Sequence, residues 1–556
     1  MNLTDLPLTL VPFLVHHEPK GCLVWKLSEC DIAPQTFLNL YSYTVNSGSS
    51  VYKIVYADCY GGGLAGNGGS ARCGYDFRYQ VKGIGLTPLV GRRADPFHST
   101  GRLALGDALS EVIWSEVLGV VCPYGVVRQV GVIEIPKRGN VDSSECGREA
   151  LLVREAPVRL AHLERAFRFV PLAKNLHLIP RDALRVRSCF GMLERILGIE
   201  SSCDEDAASR VTDNLRQSVE RIARQLAFAH ANLIKLGATP SNIELSGKLL
   251  DLTHAFCMWP MAADEPHRYL QFYRASLGEQ KPILGCFENI CYYLKKYRPE
   301  ICDVNLHAVL RASYAKSYLS QFENSTLFRF GLCKSSAGKV SGAVRSRIRA
   351  AYAECLLRPD SWLFSIGQSG FPILIEQIGL RCNIEINSNR LYAHLACDQL
   401  LIDGLVEAIS GVHNGRTAGR RRITKLIFLR MVQRFIFLTL FSQKNVNETV
   451  DRLLQAENSE KLCEAFSDKL RFLSRTADYC FGESSDQILL LSNQGLILYL
   501  DVKTNFLVLK IDKTGKGDCY TFDHIEKLDP NLISKLKQNY PPEWLMLLDD
   551  ILSSEG

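Results

Sequence analysis

At 556 residues the chain is too long for one ordinary domain, and at roughly 150 residues per domain it should divide into three or four units. Apolar residues make up 47% and charged residues 22%, a balance that excludes a disordered or low-complexity chain and supports sizeable cores. The formal net charge of +6 is so diluted over this length that it indicates no polyanion, because nucleic-acid binding needs a clustered basic surface.

The first 45 residues contain an apolar stretch, but Asp5 precedes it and Pro7 and Pro12 interrupt it. With no basic start, it does not read as a signal peptide. His16 and His17 are neighbours, which on a strand point to opposite faces and cannot share a metal. The 19 cysteines, from Cys22 to Cys519, show no C-x-x-C pair and so no zinc-site spacing. They read as buried small residues and free thiols of a reducing compartment, so a cytoplasmic location is expected.

Residues 46–135 are rich in strands and glycine. "SSVYKIVYA" and "YDFRYQVK" alternate β-branched or aromatic residues with polar ones. Read as one strand, the second places Tyr75, Phe77, Tyr79 and Val81 on one face and Asp76, Arg78, Gln80 and Lys82 on the other, polar one. Between the two strands, only Leu64, Ala65 and Asn67 interrupt the glycines from Gly63 to Gly69. Such a stretch either closes a hairpin or brings backbone N–H groups close to an anion. Next, "GRLALGDALSEVIWSEVLGVV", 101–121, has helical apolar spacing and offers Glu111 and Glu116. They lie about 140° apart around a helix, so only one can face inward, toward Lys82.

Helical periodicity returns from Ser209 to Leu236, with Gly237 as the stop, and dominates 300–480. "SSAGKVSG", 335–342, lacks the first glycine of a phosphate loop, and Val340 follows Lys339, so it is not read as one. The run at 426–441 carries Arg430, Gln433 and Arg434 and is shorter than the ~20 apolar residues a bilayer needs, so no membrane span is expected. The densest basic segment, 414–434, holds Arg416, Arg420, Arg421, Arg422 and Lys425. It is either a solvated helix start or a patch for an acidic partner such as a peptide carboxylate. No aromatic platform interleaves with it before Phe428, so nucleic acid is not expected. "ILLLSNQGLILYLDVKTNFLVLKID" reads as a β-meander with turns at Ser492–Gly495 and Val502–Asn505.

Three ordered pieces, "AGNGGSAR", "QVKGIGLTP" and "GRLALGDALSEVIWSEVLG", resemble the glycine-rich loop, lysine strand and following helix of the selenoprotein O family. "LVREAPVRLAHLE", 152–164, is similar to its next arginine-bearing segment, and the resemblance covers roughly residues 50–260. It implies an α+β, protein-kinase-like bilobal core with a β-rich N-lobe and a helical C-lobe. To this the sequence adds a mostly helical C-terminal region containing the β-meander. The expected division is 1–45, 46–135 (N-lobe), 136–300 (C-lobe), 301–480 (helical extension) and 481–556 (meander and tail).

The resemblance further implies ATP bound in inverted orientation and AMP transferred to a polypeptide. Gly66, Gly68, Gly69, Ser70 and Arg72 would form the nucleotide loop, and Lys82 would contact phosphate with Glu111 as its partner. Arg154 and Arg159 would reach the outer phosphates, although the family spaces that pair two residues further apart. In "GATPSNIELSGKLLDLTHAF", 237–256, Asn242 and Asp251 would hold Mg²⁺. Ser241 stands where the family has an aspartate as base, "SAR" where it has Asp-Gly-Arg, and "DLT" where it has Asp-Tyr-Gly. His230 and His254, on either side, read as structural histidines. More loosely, the chain resembles maturation proteins encoded with siderophore-carrying microcins, in which AMP would activate a peptide C-terminal carboxylate. The competing reading is an inactive scaffold that binds ATP or only a partner, such as an acyltransferase or ligase subunit.

Overall fold

The computed structural model describes residues 2–61, 66–94, 100–137, 148–199 and 207–358 (without 260, 262–264 and 333), and 399–539 without 413–425, 428, 432, 435–439, 482–486, 494–495, 502–505, 512–517 and 523–524. Arg416, Arg420, Arg421, Arg422 and Lys425 of the basic segment, and the tail from 540, lie outside the described residues.

The chain is a mixed α/β protein built on a large antiparallel sheet. Its strands are β1 (Leu10–His17), β2 (Cys22–Lys26), β3 (Tyr43–Thr44), β4 (Tyr52–Asp58), β5 (Cys73–Tyr75), β6 (Tyr79–Lys82), β7 (Gln129–Ile135) and β8 (Glu149–Glu155). They lie in the order β2-β7-β8-β6-β5-β4-β1-β3. The segment set apart as 1–45 therefore supplies three of these strands, and the sheet continues past 135 to Glu155. Helix α1 (Pro34–Tyr41) packs on β2 and the neighbouring β7. A methyl group on Gly131 of β7 would lie 2.5 Å from Phe37 of α1, so only glycine permits this approach.

"YDFRYQVK" is a hairpin rather than one strand. Asp76 Oδ1 accepts the amides of Arg78 at 3.0 Å and Tyr79 at 2.9 Å, and Phe77 takes φ +74°. This side-chain turn reverses the chain in the middle of an alternation that looks continuous. The face of Lys82 read as polar is buried, with Lys82 packed against Glu111 and Asp251 and only 3% exposed.

Helix α2 (Leu105–Val121) crosses the sheet over β7 and β8, and its opposite side meets the helices Gln443–Leu454 and Ser459–Phe481. Trp114 is buried and lies 5.7 Å from the Phe441 ring, while Trp25 of β2 lies 6.5 Å from Phe466. The late helices are thus part of the central packing, and one apolar cluster runs from Leu3 to Leu536. Below the sheet come α3 (Leu178–Gly191), α4 (Leu193–Ile196) and α5 (Ala207–Ala231), with α5 packed along the helix Leu306–Arg329.

Helix α5 ends at Ala231, short of Leu236. Asn232 Nδ2 donates to the Phe228 carbonyl at 2.9 Å, and Leu233 takes φ +57°. That turn frees β9 (Ile234–Lys235) to pair with β10 (Phe256–Cys257), and the intervening loop holds the site described below. A four-stranded meander follows in sequential order: β11 (Gln487–Asn493), β12 (Leu496–Asp501), β13 (Phe506–Ile511) and β14 (Asp518–Phe522). No helix among the described residues is long and apolar enough to cross a membrane, and the described cysteines are free thiols.

Because Trp114 joins the sheet-side helix to the late helices, Trp114→Ala should destabilise the chain by about 3–5 kcal/mol, read as a lowered urea midpoint. A shift below about 1 kcal/mol would show that these parts are not packed as one body.

Candidate functional site

The site is built from the end of β6, the middle of α2, the end of β8 with the turn after it, and the loop between β9 and β10. Lys82 Nζ lies 2.6 Å from Glu111 Oε2 and 2.9 Å from Asp251 Oδ1. Glu111 is fully buried, and its Oε2 also accepts from Thr253 Oγ1 at 2.8 Å. Of the two candidate glutamates, only Glu111 turns inward. Glu116 is half-buried elsewhere on α2, and burial raises its pKa.

Arg154 and Arg159 converge on the same aspartate. Arg154 Nη1 reaches Asp251 Oδ1 at 2.8 Å and Glu111 Oε1 at 3.4 Å, while Arg159 Nη1 reaches Asp251 Oδ2 at 3.1 Å and donates to the Ser241 carbonyl. The Arg159 guanidinium also lies over the Tyr60 ring, 4.7 Å from its centroid. Both arginines are buried, and both are held by Gln80 Oε1, which accepts from Arg154 Nη2 at 2.8 Å and Arg159 Nη2 at 3.4 Å. Gln80 faces Arg154 across the β6–β8 register.

A second carboxylate lies behind this one. Asp58, at the end of β4, accepts from Gln80 Nε2 at 2.8 Å and from Ser70 Oγ, and lies 3.9 Å from Arg159. His162 Nδ1 accepts the Arg159 amide at 2.8 Å, so the neutral ring carries its proton on Nε2 and donates it to Asp58 Oδ2 at 3.1 Å. Burial lowers the His162 pKa despite Asp58 beside it. For Asp58, burial opposes ionisation, but the His162 hydrogen bond and the Arg159 charge outweigh it and hold the carboxyl at about 2. Asp251 is drawn well below the usual carboxylate range in the same way, with Arg154, Lys82 and Arg159 outweighing burial. The cluster is therefore charge-balanced, with Lys82, Arg154 and Arg159 facing Asp251, Glu111 and Asp58.

Asp251 takes φ +56°, a left-handed conformation that aspartate tolerates better than most residues. Its side chain is 23% exposed, so solvent reaches the cluster from this side. At the same edge, burial raises the Asp107 pKa against the charges of His254, Lys82 and Arg72. Asn242 lies beside Asp251, since its carbonyl accepts the Leu250 amide at 3.1 Å, and its side chain donates to the Gly237 carbonyl at 3.2 Å. An amide oxygen and a carboxylate suit Mg²⁺, which completes its shell with phosphate and water. Both Asp251 oxygens are already paired with cations, however, so a metal must displace at least one of them. Among the described residues, no group of three His, Cys, Asp or Glu side chains could hold a metal alone.

Gly63, Leu64 and Ala65 of the glycine stretch lie outside the described residues, and amides of the described part are bonded within the protein. The Gly68 amide donates to the Leu89 carbonyl at 2.9 Å and the Ser70 amide to Asp58 at 3.0 Å, so neither is available to an anion. Gly66 takes φ +74° and Gly69 φ +144°, and a methyl group on Gly69 would collide with the Asp58 carbonyl. The described part, 66–70, is held against the end of β4 and packs around Asp58. Arg72 is half-buried and donates to the Arg102 carbonyl at 3.1 Å. His16 Nδ1 pairs with the Ser49 carbonyl at 2.8 Å, and His230 pairs with Tyr318 Oη at 2.8 Å and the Ser276 carbonyl at 3.0 Å, as expected of structural histidines. Asp58, Gln80, His162 and Thr253 were not singled out in the sequence. Their one linear trace is that Gln80 and Lys82 are two apart on a strand and so share a face.

No family model matches the chain, and no curated protein matches it.

Replacing Asp251 by Asn leaves three cations short of their shared anion. The cost should be about 3 kcal/mol in a urea titration, toward the low end for breaking a buried pair because Asp251 is partly exposed. An unchanged midpoint would contradict the cluster. Burial keeps His230 neutral and pulls its pKa down to about 4, below the ~6.5 of imidazole in an unfolded chain. The stability gained from its neutral form is complete above about pH 6.5 and is lost as pH falls toward 4. Thermal midpoints should therefore fall between pH 7 and 5, and less so in His230→Asn. An equal fall in both would remove His230 as a cause.

Proposed function

We propose that the chain is a kinase-like, two-lobed protein of selenoprotein O type that binds ATP in its interlobe cleft and transfers AMP to a polypeptide. The observation that carries this reading is the meeting of Lys82 and Asp251, 169 positions apart, with Glu111, Arg154 and Arg159 around one partly solvent-open point. Three fixed cations around a partly exposed carboxylate suit a triphosphate, whose oxygens would take over the hydrogen bonds now made to Asp251. Asp251 and Asn242 would then hold Mg²⁺, which when bound neutralises phosphate charge.

In the transfer, an acceptor oxygen attacks the α-phosphorus, the bond from that phosphorus to the bridging oxygen breaks, and pyrophosphate leaves with the electron pair. Lys82, Arg154 and Arg159 stabilise the charge that gathers on the leaving group. Ser241 cannot act as a base near neutral pH, so the site favours an acceptor that arrives ionised. A peptide carboxylate meets that condition and yields a mixed anhydride with AMP, as activation of a peptide C-terminus in microcin maturation would require.

Two observations favour the second reading, a nucleotide-binding or partner-binding scaffold without catalysis: Ser241 itself, and the complete pairing of both Asp251 oxygens. Incubation with α-labelled ATP, Mg²⁺ and candidate peptides separates the two. The enzyme reading expects labelled AMP on peptide, or pyrophosphate release, reduced about 100-fold or more by Lys82→Ala, an effect of the size expected when a charge-stabilising donor is removed. Nucleotide binding without either product supports the scaffold, and absence of nucleotide binding rejects ATP for both.

A further inference from the structure

A cleft, about 410 Å³ in volume, opens beside the loop that carries Ser241. Pro240 forms part of its wall, Gly61 and Asn67 come from the glycine-rich stretch, and the helix Gln280–Tyr297 supplies Gly285, Glu288 and Asn289. The segment Glu164–Arg168, just after the short turn Leu160–Leu163, completes it.

Two features show that this cleft is built to receive something. First, Glu164 is only 7% exposed, yet its Oε2 has no hydrogen-bond partner, while Oε1 accepts from Asn289 Nδ2 at 2.8 Å. The neighbouring Cys286 thiol, a weak donor, lies between the Leu160 carbonyl at 3.9 Å and the Glu164 carboxyl, whose pKa burial raises. A buried acceptor without a donor carries a substantial desolvation penalty, which a ligand donor would remove. Second, Gly285 sits in the interior of a helix, where glycine costs about 1 kcal/mol relative to alanine. A methyl group there would have nothing within 4 Å, so packing does not demand the glycine and open cleft lies over it.

Two of the other charges at the cleft are paired. Arg165 Nε lies 2.7 Å from Asp182 and its guanidinium sits over the Phe167 ring at 5.3 Å, while Glu288 lies 3.5 Å from His307 and 3.9 Å from Arg311. Arg168 is exposed at the rim. Phe167 is 73% exposed beside the opening, an apolar ring held out in water. We propose that this cleft binds a basic side chain of a polypeptide, with its ammonium or guanidinium on Glu164 Oε2 and the adjoining apolar residue of the same polypeptide on Phe167. A cation is the complement of a buried carboxylate with one open oxygen. An aromatic neighbour covers Phe167 and excludes water from the pair. The proposal rests on the polypeptide half of the function above and is independent of its nucleotide half.

The test uses the full chain and two capped dipeptides, acetyl-Phe-Lys-amide and acetyl-Phe-norleucine-amide, which differ in the terminal ammonium, titrated by calorimetry near neutral pH at low salt. The lysine probe should bind about tenfold more tightly or better, and Glu164→Gln should reduce that preference to less than about threefold. Gly285→Leu, which fills the cleft from a position with room for a side chain, should weaken both probes by about tenfold or more while circular dichroism stays unchanged. Lys82→Ala should leave probe binding intact, so loss of nucleotide transfer and loss of this site remain separate results. Equal affinity for the two probes, a preference that survives Glu164→Gln, or no binding at millimolar concentration would overturn the proposal.

Discussion

Asp251 takes Lys82 and Arg154 on one carboxylate oxygen and Arg159 on the other, from a left-handed backbone position. Remove that anion and three cations, each at most 3% exposed, face one another across a few ångströms. Their approach is tolerable only because each also has a second acceptor: Glu111 for Lys82, Gln80 for Arg154, and the Ser241 carbonyl for Arg159. The sheet order brings these partners together. β8 brings Arg154 beside β6, whose alternate residues Gln80 and Lys82 share a face, while β4 ends at Asp58, whose carbonyl accepts the Ser70 amide.

Ion pairs of this kind are weak evidence for stability, because taking charges out of water costs about as much as their attraction returns. They are better at specifying position. The cluster ties the sheet, α2 and the β9–β10 loop to one point, and α2 is held from outside by the late helices through Trp114 and Phe441. A group that displaced Asp251 would therefore act on the junction between the sheet and the helices below it. The cleft at Glu164 lies on the same junction, sharing Pro240 with the Ser241 loop and Asn67 with the glycine-rich stretch.

The parts of this arrangement legible in the sequence were those carried by local pattern. The 3.6-residue period placed α2 with Glu111 on it, and the turn residues of the terminal meander marked its strands. The hairpin at Asp76–Arg78 was hidden, because Tyr75, Phe77, Tyr79 and Val81 keep a two-residue rhythm through a turn that depends on the Asp76 side chain. The end of α5 was misplaced because Leu233 adopts a positive φ that glycine would have announced. Gln80, Asp58 and His162 are ordinary polar residues in one dimension. Their burial comes from neighbours that exist only once β6 pairs with β8 and β5, and β5 with β4. Glu164 is invisible for the same reason, since its partner Asn289 is 125 positions away.

Under the proposed function, the cations around Asp251 receive phosphate and the carboxylate holds their place until it arrives. The most direct test of that role is the structure of the chain with a non-hydrolysable ATP analogue and Mg²⁺ at saturating concentration. Triphosphate oxygens should then lie within hydrogen-bond distance of Lys82 and at least one of Arg154 and Arg159, with Asp251 moved off that guanidinium. All three pairs intact at Asp251, with no nucleotide in the cleft, would contradict that role and leave the cluster as a structural clamp.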